Sequence, residues 1–158
     1  MWKNFTNNYG EINKNFIYPK NAQESKKWLK NFLEERLFNF GEFQDAILSN
    51  ESILYHSLIS PLLNIGLLTP QYVLEETIKY YKNHNLPLNS VEGFIRQIIG
   101  WREFIRGVYE FSGSYQRTKN FWQFNKKLPK FFWDGTTGID PVDITIKKVF
   151  KNRILSSY

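Results

Sequence analysis

The chain has 158 residues, enough for one domain with a core of its own, and its 42% hydrophobic and 23% charged residues exclude a disordered tail. It contains no cysteine and only two histidines, His56 and His84, which excludes a disulfide or a thiolate-ligated cluster and leaves too few ligands for a zinc site. Aromatic residues reach 18%, about twice the ordinary share, and the formal net charge is +6, a combination that fits either nucleic-acid binding or simple codon bias toward Lys, Asn, Ile and Phe.

From the N-terminus, Met1–Asn8 lacks the apolar stretch of a secretory signal, and no apolar run in the chain reaches the roughly 18 to 20 residues of a membrane span. A cytoplasmic protein is therefore expected. The residues to about Pro19 have no period and read as loop. Asn21 then caps a helix, with Glu24 in the capping-box position, and Trp28, Leu29, Phe32, Leu33 and Leu37 give it an apolar face to about Phe38. A short segment follows, Gly41–Ile47.

Ser60-Pro61, Thr69-Pro70 and Asp140-Pro141 each place a capping side chain before a proline suited to a first helical turn. The second opens a helix through Tyr72, Val73, Thr77, Ile78 and Tyr81, ending near Asn83-His84-Asn85. Ser90 caps the longest helix, to about Phe111. A polar and aromatic loop region comes next, and a last helix from Asp140 carries Val142, Ile146, Val149, Phe150 and Ile154. No segment alternates with a period of two, so the predicted fold is all-α. The last helix is still amphipathic at Ile154-Leu155 where the chain stops, without a glycine cap, at Tyr158. An incomplete domain is expected.

The helix from Ser90 holds the most informative pattern. Val91, Ile95, Ile98, Ile105 and Tyr109 form an apolar stripe with Arg102 inside it. A guanidinium there needs an anion, since burying it unpaired costs several kcal/mol. That anion is either a carboxylate such as Asp45 or the phosphate of a nucleotide. Gly93, Gly100 and Gly107 recur every seven residues, each costing about 1 kcal/mol against alanine, so a neighbouring helix or a flat ligand is expected close to that face. Gln97 and Trp101, four apart, face one cavity or are ordinary core. His56-Ser57-Leu58-Ile59-Ser60-Pro61 sets two hydroxyls and a run of amides before a helix start, which serves an anion or merely caps the helix. Phosphate-loop, dinucleotide, nucleophile-elbow and metal-ligand spacings are missing.

Two long stretches carry a resemblance. The first is Phe40-Gly41-Glu42-Phe43-Gln44-Asp45-Ala46-Ile47 with His56-Ser57-Leu58-Ile59-Ser60-Pro61-Leu62-Leu63-Asn64-Ile65-Gly66-Leu67-Leu68-Thr69-Pro70. The second is Val91-Glu92-Gly93-Phe94-Ile95-Arg96-Gln97-Ile98-Ile99-Gly100-Trp101-Arg102-Glu103-Phe104-Ile105-Arg106-Gly107. They resemble the flavin-phosphate segment and the Trp-Arg-Glu-Phe/Tyr helix of photolyases and cryptochromes. The Gly-Trp-Arg-Glu form is similar to the bacterial deoxyribodipyrimidine photolyase-related branch, with its iron–sulfur and (6-4) members.

The resemblance implies that residues 1–158 are part of the helical FAD-binding domain, without the antenna domain and without the C-terminal part of the cradle. It implies FAD contacts at Phe43, His56, Ser57, Leu58, Ile59, Ser60, Gln97 and Arg102, with Gln97 and Trp101 lining the lesion cavity. Trp133, in Phe132-Trp133-Asp134-Gly135-Thr136, resembles a tryptophan that passes electrons to the flavin. The implied activity is that of a lyase on damaged DNA, by light-driven electron transfer from reduced FAD to a pyrimidine dimer or (6-4) lesion. Where the iron–sulfur members place their first cluster cysteine this chain has Pro141, so no iron–sulfur cluster is expected. A cryptochrome-like photoreceptor without repair, and a truncated remnant acting as a basic helical nucleic-acid binder, are the alternatives.

Overall fold

The computed structural model describes residues 17–48, 51 and 53–152. The expectations for Met1–Asn8 and for Ile154–Tyr158 lie outside them. Among the described residues there are helices and no strand, as the absence of alternation predicts, and two compact units, one of them Tyr18–Phe121 and the other including the chain from Trp122 onward.

In the larger unit, α1 (Ala22–Glu35) starts where Asn21 predicts. The Asn21 side-chain oxygen accepts from the Glu24 amide at 2.9 Å, and the Glu24 carboxylate accepts in turn from the Lys20 amide at 2.9 Å, which holds its pKa below the usual range. The periodicity predicts one helix to about Phe38. The structure breaks it at Arg36 (φ −123°, ψ −27°) and resumes as α2, Leu37–Phe43. The break swings Leu37 and Phe40 into the same core as Leu29, Phe32 and Leu33.

Ser60 does not cap α3 (Ser60–Asn64). The Leu63 amide bonds to the Ile59 carbonyl at 2.9 Å, so Ile59 holds the cap position and Ser60 is already helical. Gly66, at φ +76°, ends this turn: its own amide bonds to Leu63 and that of Leu67 to Leu62, the left-handed close that favours glycine. Thr69 caps α4 (Pro70–Asn83) as predicted, accepting from the Tyr72 amide at 3.2 Å.

The longest helix, α5 (Leu88–Thr118), begins after Pro87 rather than at Ser90 and runs well past Phe111, kinked at Ser112 (φ −143°, ψ 24°). Ser90 is buried inside its first turns. Phe32, Phe40 and Phe94 meet at the centre with ring centroids 4.7 to 5.9 Å apart, so α1, α2 and α5 close on one aromatic cluster, to which α3 and α4 add Leu62 and Val73.

The smaller unit has a short helix where the sequence predicts loop, α6 (Phe131–Asp134), and then α7 (Asp140–Asn152). Asp140 is again the first helical residue rather than the cap. Asp143, one turn in, does the capping work: its carboxylate accepts from the Thr137 hydroxyl at 2.6 Å and from the amides of Thr137 and Gly138, which lowers its pKa. Among the described residues no helix is long and apolar enough to cross a membrane.

Candidate cofactor-binding site

The segment 55–59 runs along one face of α1. Trp28, Phe32 and Arg36 stand four residues apart and share that face. The Trp28 indole N–H donates to the Ser57 carbonyl at 2.9 Å, which pins the segment at one end. At the other end Tyr55 stacks on Phe43 with ring centroids 5.3 Å apart. Leu58 is left-handed at φ +55°, and its side chain and that of Ile59 are buried. A non-glycine residue in that region costs of order 1 kcal/mol and persists where its surroundings demand it. Leu58 and Ile59 can therefore serve a ligand only through their backbone.

Arg36 is the residue that sequence reasoning misses. Its Nε is buried and has no hydrogen-bond partner, its guanidinium lies 5.6 Å from the Phe32 ring centroid, and it forms no ion pair among the described residues. Burial lowers its pKa, and the neighbouring Glu35 only partly opposes this. His56 is half-buried within its field: burial pushes the imidazole pKa down, Asp45 pulls it up, and the Arg36 charge lowers it further. A half-buried cation with an unsatisfied donor beside a histidine is suited to an anion. The signal was available, since Trp28, Phe32 and Arg36 continue the apolar face of α1 at four-residue spacing.

Arg102, where the stripe places that cation, is exposed. Val91 and Ile98 are buried and Ile95 partly so, but Ile105 is 62% exposed and Tyr109 55%, so the stripe leaves the core before reaching Arg102. Arg102 makes no ion pair with Asp45 or any other described residue. The glycine expectation is corrected as well. Gly93 has Phe40 at an ordinary 3.9 Å, Gly100 meets only its own helix's Arg96, and Gly107 has nothing within 4 Å. Among the described residues, no neighbouring helix comes closer to that face than this Phe40 contact.

What lies there is an open cleft of about 540 Å³ lined by Gln44, Gly93, Arg96, Gln97, Gly100, Trp101 and Phe104. Gln97 and Trp101 do face one cavity, and Trp101 is 62% exposed rather than core. The Gln97 amide donates to Gln44 Oε1 at 2.9 Å. Residues 43 and 44 thus tie two places together: Phe43 holds Tyr55 beside His56, and Gln44 holds Gln97 in the cleft. Ser60 is exposed at the start of α3. Trp133 lies in α6 of the other unit and is exposed. Among the described residues no cluster of three or more histidine or carboxylate side chains is placed to hold a metal ion.

No protein-family model matches the chain. Individual relatives do. It is 38% identical over 148 residues to a (6-4) photolyase of Agrobacterium fabrum, covering 94% of this chain and 29% of that protein. It is 27% identical over 122 residues to the cryptochrome DASH of Synechocystis, covering 24% of it. An uncharacterized protein of Acanthamoeba polyphaga mimivirus is 40% identical over 116 residues, and there 88% of the relative is covered. An all-α chain aligned over 94% of its length with a photolyase, and over about three quarters of it with cryptochromes, falls in that class of proteins. The chain belongs to the photolyase/cryptochrome family. It spans less than a third of the length of the photolyase and the cryptochrome it matches.

Proposed function

We propose that this chain is part of the helical FAD-binding domain of a photolyase-type lyase, located in the cytoplasm and acting on damaged DNA. The observation that carries the proposal is Arg36, a half-buried guanidinium with an unsatisfied Nε and a charge that is felt at His56. Those residues fit a pyrophosphate, whose oxygens would satisfy the orphaned donor and balance the charge. When bound, FAD would supply light-driven one-electron chemistry toward a pyrimidine dimer or (6-4) lesion. Arg36 and His56 would hold the phosphates with the backbone amides of Ser57, Leu58, Ile59 and Ser60. Phe43, Gln97 and Arg102 are the further cofactor contacts that the family resemblance supports. Gln97 and Trp101, sharing the open cleft, would receive the displaced base, the amide by hydrogen bonding and the indole by stacking. Trp133 would relay an electron.

The test is a calorimetric titration of the chain with FAD, compared with Arg36→Met. A charge-assisted hydrogen bond to phosphate is worth about 1.5 to 3 kcal/mol, so the variant should bind ten- to a hundredfold more weakly. Equal affinity would remove Arg36 from the site.

A second reading, a helical nucleic-acid-binding module without flavin, is favoured by the net charge of +6 and the 18% share of aromatic residues. The match to cryptochrome DASH leaves a photoreceptor role without repair as the variant of the first reading. Repair of damaged DNA under blue light separates the two.

A further inference from the structure

The net charge of this chain is unevenly spread. From Tyr18 to Phe121 twelve Lys and Arg face eleven Asp and Glu, whereas from Trp122 to Tyr158 seven face three. The excess begins with Trp122–Trp133, which carries Lys126, Lys127 and Lys130 and no acidic residue. Two of the three acids that follow are engaged locally, Asp134 with the Thr136 hydroxyl and Asp143 with Thr137 and Gly138. The lysines are exposed and form no ion pair among the described residues.

Large rings are interleaved with these cations. Trp122 is 71% exposed and Phe124 74%, and their rings lie nearly parallel, 16° apart with centroids 6.3 Å apart. Gln123 between them is left-handed at φ +55°, and the two rings lie side by side across it. Between Gln123 and Pro129 the backbone is neither helix nor turn. A membrane surface would call for an amphipathic helix here, and an acidic protein would have no use for the paired rings. A strand with a phosphate per unit and a flat base per unit matches both features.

We propose that Trp122–Lys130 is a contact surface for single-stranded DNA, with Lys126, Lys127 and Lys130 on the phosphates and Trp122 and Phe124 as a stacking platform for bases. The proposal deepens the DNA-partner part of the function above and rests on it for the identity of the partner, but it needs no flavin.

The test is fluorescence anisotropy of an end-labelled, undamaged oligo-dT with the full chain across a range of salt. Two variants are compared, Lys126→Gln/Lys127→Gln/Lys130→Gln and Trp122→Ala/Phe124→Ala, with helical circular dichroism as the folding control. Losing three phosphate contacts should lower the logarithmic salt slope by about 2 and weaken binding at least tenfold. The ring variant should also weaken binding about tenfold, with the slope unchanged. The proposal is overturned if wild type fails to bind, if either variant binds like wild type, or if polyglutamate or phosphatidylserine vesicles compete as well as DNA. A chain that retains FAD but not the oligonucleotide contradicts only this surface. One that binds the oligonucleotide but not FAD contradicts only the flavin assignment.

Discussion

Gly41 lies directly against Ser90: its amide donates to the Ser90 hydroxyl oxygen at 2.8 Å, and a Cβ on Gly41 would stand 2.6 Å from the Ser90 backbone nitrogen. The same hydroxyl donates to the Phe38 carbonyl at 2.8 Å. One serine thus satisfies two backbone groups near the end of α2 and sets how closely α2 approaches α5. Gly41→Ala has backbone atoms in its way and should cost about 1 to 3 kcal/mol. Ser90→Ala leaves a donor and an acceptor unpaired and should cost a similar 1 to 3 kcal/mol. Urea unfolding followed by circular dichroism measures both. A double variant less destabilised than the sum would show that the two act on one contact.

The aromatic cluster under this contact holds the larger share of the packing. Phe94 is fully buried against Phe32 at 4.7 Å and Phe40 at 5.6 Å. Phe94→Ala should cost about 3 to 5 kcal/mol and leave a chain that loses cooperative melting. Phe94→Leu, nearer in volume, should retain it.

Neither Arg36 nor Arg102 should be needed for the stability of the flavin-free chain. Arg102 is exposed, so Arg102→Ala should shift unfolding by no more than about 0.5 kcal/mol, and any loss of FAD retention would then be a ligand effect. Arg36→Met removes a buried unsatisfied Nε and should leave the flavin-free chain as stable as wild type or more so, while weakening flavin binding. Thermal melts with and without FAD distinguish these outcomes.

His56 gives a pH dependence of definite sign. Its pKa is lowered in the fold, chiefly by burial, so the unfolded chain takes up the proton first. The stability associated with the neutral imidazole is complete above the unfolded value of about 6.5 and is lost as the pH falls through the folded value. The melting temperature should drop between pH 7.5 and pH 5, and His56→Gln should flatten that part of the profile. A profile unchanged by the substitution would assign the dependence to another group.

Local chemistry was legible and distant contact was not. Asn21 and Thr69 announce their helices because a cap bonds only to residues two or three away. Ser90 looks like a cap by the same rule, yet its partners are Phe38 and Gly41, about fifty residues distant, and nothing nearby reveals them. Arg102 fails for the converse reason. The apolar stripe on α5 is real, but a stripe does not say how much of its length another element covers, and beyond Ile98 the described residues leave it open. Arg36 was readable from the spacing of Trp28 and Phe32. The two long motifs gave the family because each combines many residues in fixed order, and the relatives support it.

Whether this chain binds FAD can be read from the absorption spectrum of the purified chain after loading with FAD and removing the excess. A retained flavin band with resolved vibrational structure, reduced or lost in Arg36→Met, is the predicted result. A well-folded wild-type chain that keeps no flavin would refute the proposed cofactor site and give precedence to the nucleic-acid-binding reading.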